Sequence, residues 1–323
     1  MRRRHLLAAL PAAPLLATAQ GRAQGLAAPA VATPATPATL PRTTQQDIGM
    51  AGGGPPWRIF LQRPAGDPPA RGWPVLYLLD ANAVMGIAAD IMRVQSSFPL
   101  GTGIQPAVLV GIGYLTNGAY DSVRRSWDYS PPPGRSYPPH APGGPEVRTG
   151  GADRFLGFIE EVLKPWVGAQ LPVDSANQAI FGHSFGGLFV LHALFNQPTA
   201  FRSWVAASPS IWWEDEVVLQ SERHYAALPP GQRPPGRLLL SVGGYEQQPA
   251  PFQARMPETA AMAARAARSR LEDHARDLAG RLNALPATKL SASFELYPGE
   301  THMSVLPTAL NHAIRFAFGP DAG

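Results

Sequence analysis

A short apolar run, Gln178-Ala179-Ile180-Phe181, leads into Gly182-His183-Ser184-Phe185-Gly186-Gly187 and out into a second apolar stretch, Leu188 to Phe195. A strand that must turn into a helix within six residues has few solutions. The pattern G-x-S-x-G in that setting predicts a tight, strained turn with the serine hydroxyl pointing out of a sheet. Side chains at Gly182 and Gly186 are expected to crowd the turn, and Gly187 to let the following helix approach closely. The first helical turn then offers N–H groups and the positive end of its dipole to a developing negative charge. No lysine follows the glycines, so a phosphate-binding loop is not indicated. Ser184 is therefore read as a nucleophile, against a glycine-rich turn in a noncatalytic fold.

The rest of the chain supports that setting. Pro74-Val75-Leu76-Tyr77-Leu78-Leu79, Ala107 to Ile112 and Arg237 to Val242 are near-continuous apolar runs, as strands covered on both faces require. Shorter strands are expected at Trp57–Leu61, Ser203–Ala207 and Ser293–Tyr297. Between them, helices are expected over Ala83–Val94, from Asp153 until Pro165 stops it, through Leu271, Ala275, Leu278 and Leu282, and over Pro307–Phe316. Strands alternating with helices predict an α/β-hydrolase fold with a mostly parallel central sheet flanked by helices. Ser130 to Pro145, rich in Pro and Gly, is expected to be a long surface loop.

Domain organisation follows from the ends. Three arginines after Met1, an apolar run from Leu6 to Ala17 and the small residues Ala17-Thr18-Ala19 predict a secretory signal peptide over residues 1–19, with twin-arginine export suggested by the adjacent arginines. The run is too short to span a bilayer, so no transmembrane segment is expected in a mature, periplasmic or otherwise exported protein. Residues 20–54, dominated by Ala, Pro, Thr and Gly, are expected to be a flexible spacer outside the fold, leaving 55–323 as one domain. Loss of Arg2, Arg3 and Arg4 with the leader lowers the formal charge from +4 to +1, which gives no support to a nucleic-acid partner. The sequence contains no cysteine, which removes disulfides and a thiol nucleophile.

A serine hydroxyl needs a base, and in this fold the order along the chain is serine, acid, histidine. His192, His224, His274 and His312 fall in helices or a polar connection. His302 lies in Pro298-Gly299-Glu300-Thr301-His302, just after the last strand, where the base belongs. Glu246, beyond a buried strand and the turn Gly243-Gly244-Tyr245, is the expected acid, with Asp215 as rival and a plain Ser–His dyad as the other solution. The oxyanion hole is expected from the N–H of Phe185 and from Ala81 or Asn82 after the Val75–Leu79 strand. This chemistry requires no metal and no cofactor.

With these residues placed, the chain resembles the esterase family that includes the periplasmic and cytosolic siderophore esterases. The likeness rests on Tyr77-Leu78-Leu79-Asp80-Ala81-Asn82-Ala83, Gly111 to Tyr114, Arg125 with Asp128 to Pro132, Gly182 to Phe189, Ala207-Ser208-Pro209-Ser210-Ile211-Trp212-Trp213 and Gly299 to His302. It implies a small-molecule ester substrate, in the siderophore branch a catecholate siderophore in its ferric or iron-free form, with Ser184 acylated and His302 as base. It further implies that Arg124 or Arg125 holds an anionic catecholate and that Trp212 and Trp213 line the cleft. His183, beside the serine, is grouped with these substrate-facing residues. Some members work with a Ser–His pair alone. The same family acts on cell-wall polysaccharide esters and includes acyltransferases, and a noncatalytic siderophore-binding protein on this fold is the remaining alternative.

Overall fold

The computed structural model describes residues 34–287 and 289–320, and the expected signal peptide lies outside them. Residues 34–38 carry no helix or strand, and the compact unit begins at Thr39. Its strands are β1 (Thr43–Ile48), β2 (Trp57–Gln62), β3 (Trp73–Leu79), β4 (Val108–Gly113), β5 (Ser136–Tyr137), β6 (Val147–Arg148), β7 (Val173–His183), β8 (Ser203–Ala207), β9 (Gly236–Gly243) and β10 (Leu290–Tyr297). Among the described residues, eight of them form one sheet in the order β1-β2-β4-β3-β7-β8-β9-β10. β1, β2 and β4 pair antiparallel, and every other neighbouring pair is parallel.

Alternation along the strands explains the continuous apolar runs. In β3, Val75, Tyr77 and Leu79 face one layer of the core and Leu76 and Leu78 the other. The helices Phe185–Asn196 and Leu271–Asn283 cover the first face, and Ala81–Gln95 and Val305–Phe318 the second. Leu271, Ala275, Leu278 and Leu282, the stripe expected from their spacing, are all buried. Truncating one such leucine to alanine in a packed core costs about 2–5 kcal/mol.

β3 pairs with β4 on one side and β7 on the other, so the chain reverses its direction of travel across the sheet between β3 and β7. In open α/β sheets the crevice beyond the carboxyl ends of such strands is where ligands bind. Asp80 and Ala81 follow β3, and Ser184 follows β7.

Three expectations need correction. The spacer was expected to reach residue 54, but Thr43–Ile48 is a strand paired with β2 from Thr43↔Gln62 to Ile48↔Trp57. It is an edge strand of polar residues, so it carries no apolar signal. Pro165 does not end its helix. Ala152–Phe158 continues through a π-turn, Ile159–Leu163, into Lys164–Gln170, and the wider turn accommodates a residue without an N–H. The Ser130–Pro145 loop is not wholly irregular, because β5 pairs antiparallel with β6. Among the described residues no helix is long and apolar enough to cross a membrane.

Candidate active site

β7 delivers Ser184 with φ 60° and ψ −116°, left-handed in φ for a residue with a Cβ. Its N–H donates to the Ala207 carbonyl at 2.9 Å, and the helix begins at Phe185. A Cβ on Gly182 would lie 2.2 Å from the Gly186 carbonyl oxygen, so only glycine fits there. A Cβ on Gly187 would come within 3.0 Å of Ala207 O and Pro209 Cα, so that glycine sets the close approach of the helix to the end of β8. Gly186 differs from expectation. A Cβ there would meet Leu79 and Asp80 only at ordinary contact distance, 3.6 Å.

Three side chains from three loops line up. His302 Nε2 is 3.0 Å from Ser184 Oγ, and His302 Nδ1 is 2.5 Å from Glu246 Oε2. The Glu246 side chain is fully buried. Its other oxygen accepts from Ser208 Oγ at 2.6 Å and from the Gly243 N–H at 2.7 Å. A carboxylate fixed on that side presents only an acceptor to His302. Nδ1 then carries the proton and Nε2 is free to accept from the serine. The two loops also lock to each other, with Gly244 N–H on Tyr297 O at 2.8 Å and Tyr245 N–H on Glu300 O at 2.9 Å. Glu300 in turn accepts from Ser304 and Thr308, which ties the histidine loop to the last helix.

Three of the rival histidines are engaged elsewhere. His192 meets Asp153 at 2.7 Å, His274 meets Glu216 at 3.5 Å and His312 meets Glu295 at 2.7 Å. Asp215 is exposed in the turn after Trp213.

Beyond Phe185, the oxyanion candidates stand at the end of β3. Ala81 opens the helix Ala81–Gln95 behind Asp80, which is left-handed at φ 53° and donates its N–H to Tyr129 Oη. The Asn82 side chain is committed, accepting from Tyr114 N–H at 2.8 Å and donating to the Tyr114 and Thr116 carbonyls. The backbone N–H groups of this turn are therefore its candidates for a second donor.

The cleft over Ser184 has a volume of about 930 Å³. Trp212 and Trp213 both line it. Trp213 meets Phe185 edge-on at 4.6 Å and Tyr137 at 5.4 Å, which makes an aromatic wall beside the serine. Tyr137 and Tyr245 belong to this lining and were missed in the sequence, since the first lies in the Pro-rich loop and the second in a glycine turn. Ser208, which holds Glu246, was also missed. Its only local signal is its place at the end of a strand, where it adopts φ 46°.

Two substrate-facing expectations change, those for Arg124 and His183. Arg124 does not reach the cleft. Its guanidinium donates to the Pro55 and Pro56 carbonyls, pairs with Asp128 at 3.3 Å and lies over the Trp57 ring at 4.7 Å. Arg125 lines the cleft but is bound in a fork to Asp80, at 3.0 and 2.9 Å. His183 is buried behind His302, with ring centroids 4.7 Å apart, and its Nε2 has no partner among the described residues. Burial holds the His183 pKa well below the ordinary 6.5, with the charges of His302 and Arg125 pressing the same way, so the ring stays neutral.

This arrangement can activate a serine hydroxyl, and it stands in an α/β fold. Residues 54–289 match the family described as "Putative esterase". The chain belongs to this esterase family. It is a carboxylic ester hydrolase. The ferri-bacillibactin esterase BesA of Bacillus subtilis is 38% identical to it over 284 residues, 88% of this chain and 92% of that protein. The siderophore enterobactin esterase of Emericella nidulans is 37% identical over 277 residues, 81% and 89% of the two chains. The crystal structure of the BES protein from Bacillus cereus superposes on the esterase with a TM-score of 0.76 at 31% identity, covering 89% of this chain and all of the other (100%).

Proposed function

We propose that the esterase hydrolyses the ester bonds of a catecholate siderophore, after export, through an acyl-enzyme on Ser184. The observation that carries this reading is the aligned Ser184–His302–Glu246 chain, opening into a cleft with an aromatic wall. The substrate class is supported by the relatives, one named for ferri-bacillibactin and another for enterobactin.

His302 takes the serine proton as Ser184 attacks the ester carbonyl, and the buried Glu246 carboxylate stabilises the imidazolium that forms. The oxyanion is met by the Phe185 N–H and a backbone N–H after β3, each such donor contributing about 3 kcal/mol to the transition state. His302 then protonates the leaving alkoxide, and a water activated by the same ring releases the acyl group. Trp212, Trp213 and Tyr137 present faces and edges on which catechol rings stack. Any iron enters as part of the substrate.

The test is chromatographic. The purified protein is incubated with ferric and iron-free enterobactin beside p-nitrophenyl acetate, with Ser184→Ala as the blank. Serine-dependent release of linear or monomeric catechol-serine products is expected. Cleavage of the simple ester with both macrolactones intact sinks the siderophore reading and leaves a serine esterase of another substrate.

A further inference from the structure

The helix Thr259–Ser269 has only one buried residue, Ser269. Four of its side chains nonetheless share a direction. Met262, Arg265, Ala266 and Ser269, at the spacing of one helix face, all line the cleft. The helix therefore turns its inner face to the cleft and forms its outer wall. Arg265 is the exposed cation of that face, and it makes no hydrogen bond, ion pair or ring contact among the described residues. The other charged side chains of the lining are committed: Arg125 to Asp80, and Glu246 to His302, Ser208 and Gly243. The cleft thus holds an uncommitted permanent positive charge in the same lining as the aromatic wall.

We infer that Arg265 is the residue by which the cleft selects an anionic substrate, so that the esterase prefers a ferric catecholate to its iron-free form. The inference rests on the catecholate reading above and adds the basis of discrimination. In a ferric tris-catecholate the phenolate charges outnumber that of the iron, and the complex is an anion. The iron-free catechols keep their protons near neutral pH and are uncharged. A guanidinium stays charged at every relevant pH and donates up to five hydrogen bonds to oxygen acceptors. It gains on the anion and little on the neutral form, which is what selection requires.

The test compares the full chain with Arg265→Gln and Arg265→Lys, both residues of good helix propensity at an exposed site, so the wall is expected to stay folded. Two quantities are read. One is the ratio of kcat/KM for ferric over iron-free enterobactin. The other is Ki against p-nitrophenyl acetate hydrolysis for the ferric complex of a triamide tris-catechol, which has no ester to cleave, beside neutral ferrichrome. In Arg265→Gln the ratio is expected to fall about tenfold, mainly through KM, and the triamide Ki to rise about tenfold, the size of one charge-assisted contact. Arg265→Lys retains most of both, and raised salt weakens the wild-type Ki more than that of Arg265→Gln. A ratio and a Ki that ignore Arg265→Gln, in a protein that cleaves enterobactin, overturn the inference and leave the catecholate reading standing. An equal loss for ferrichrome also overturns it, since shape rather than charge is then being read. If neither macrolactone is cleaved, the catecholate reading falls. An Arg265-dependent triamide Ki then still supports anion selection, and absence of any inhibition overturns that as well.

Discussion

Glu246 is held so that its carboxylate presents only an acceptor to His302. Oε1 accepts from Ser208 and from Gly243, which leaves Oε2 for His302. An amide at this position would keep its carbonyl oxygen toward those two donors and turn its NH2 toward the histidine. His302 would then carry its proton on Nε2 and have no lone pair for Ser184. Glu246→Gln is therefore expected to lower kcat by about 10³–10⁴ with KM little changed, the size of a tautomer trap in a serine triad. Steady-state kinetics on p-nitrophenyl acetate checks it, and a loss below tenfold would mean that the Ser–His pair suffices. The placement of Ser184, Glu246 and His302 was legible in the sequence because each follows a recognisable strand. The arginines were not separable there. Arg124 and Arg125 are neighbours on the helix Ser122–Tyr129, about 100° apart around its axis, so one faces Trp57 and Asp128 and the other Asp80. Without the helix being foreseen, nothing in the sequence assigned them to different sides.

At the scale of elements, the buried strands and the helices with an apolar stripe could be read from periodicity. β1 could not, being a polar edge, nor could Thr259–Ser269, whose inner face meets a cleft instead of core. The segment after Trp213 was equally hidden. Glu214, Asp215 and Glu216 all have positive φ, at 47°, 56° and 62°, in a left-handed turn. Glu214 is tied down, since its carboxylate accepts from Tyr137 Oη at 3.1 Å and Thr149 Oγ1 at 3.2 Å and so joins the tryptophan wall to the ribbon β5–β6. Asp215 is exposed and carries the conformational cost without such a tie. Glycine adopts this region freely, so Asp215→Gly is expected to stabilise the fold by about 1 kcal/mol. Urea unfolding measures it, and a lower midpoint would show that the carboxylate itself contributes more than the backbone costs.

Across the whole molecule, one buried carboxylate sets a dependence of stability on pH. Asp128 accepts from Trp57 Nε1 at 2.8 Å and pairs with Arg124 at 3.3 Å, while Trp57 stacks on Phe158 at 3.9 Å. The cluster joins the start of β2 to two helices that lie far from it in sequence. Burial raises the Asp128 pKa from the ordinary 3.8 to about 6, more than Arg124 and Trp57 lower it. In the unfolded chain the group loses its proton near 3.8, and in the native protein near 6. Between these values the native state holds a proton that the unfolded state has released. The contribution of Asp128 is thus largest below the window and declines as pH rises through it, by about 3 kcal/mol in all. Asp128→Asn removes that titration. The stability of the variant relative to wild type is expected to rise by up to about 3 kcal/mol between pH 4 and pH 7 and to stay level above that. Denaturant unfolding of both proteins across this range provides the comparison. A difference that does not change with pH would mean that Asp128 ionises in the folded protein as easily as in the unfolded chain, and that Arg124 and Trp57 fully offset its burial.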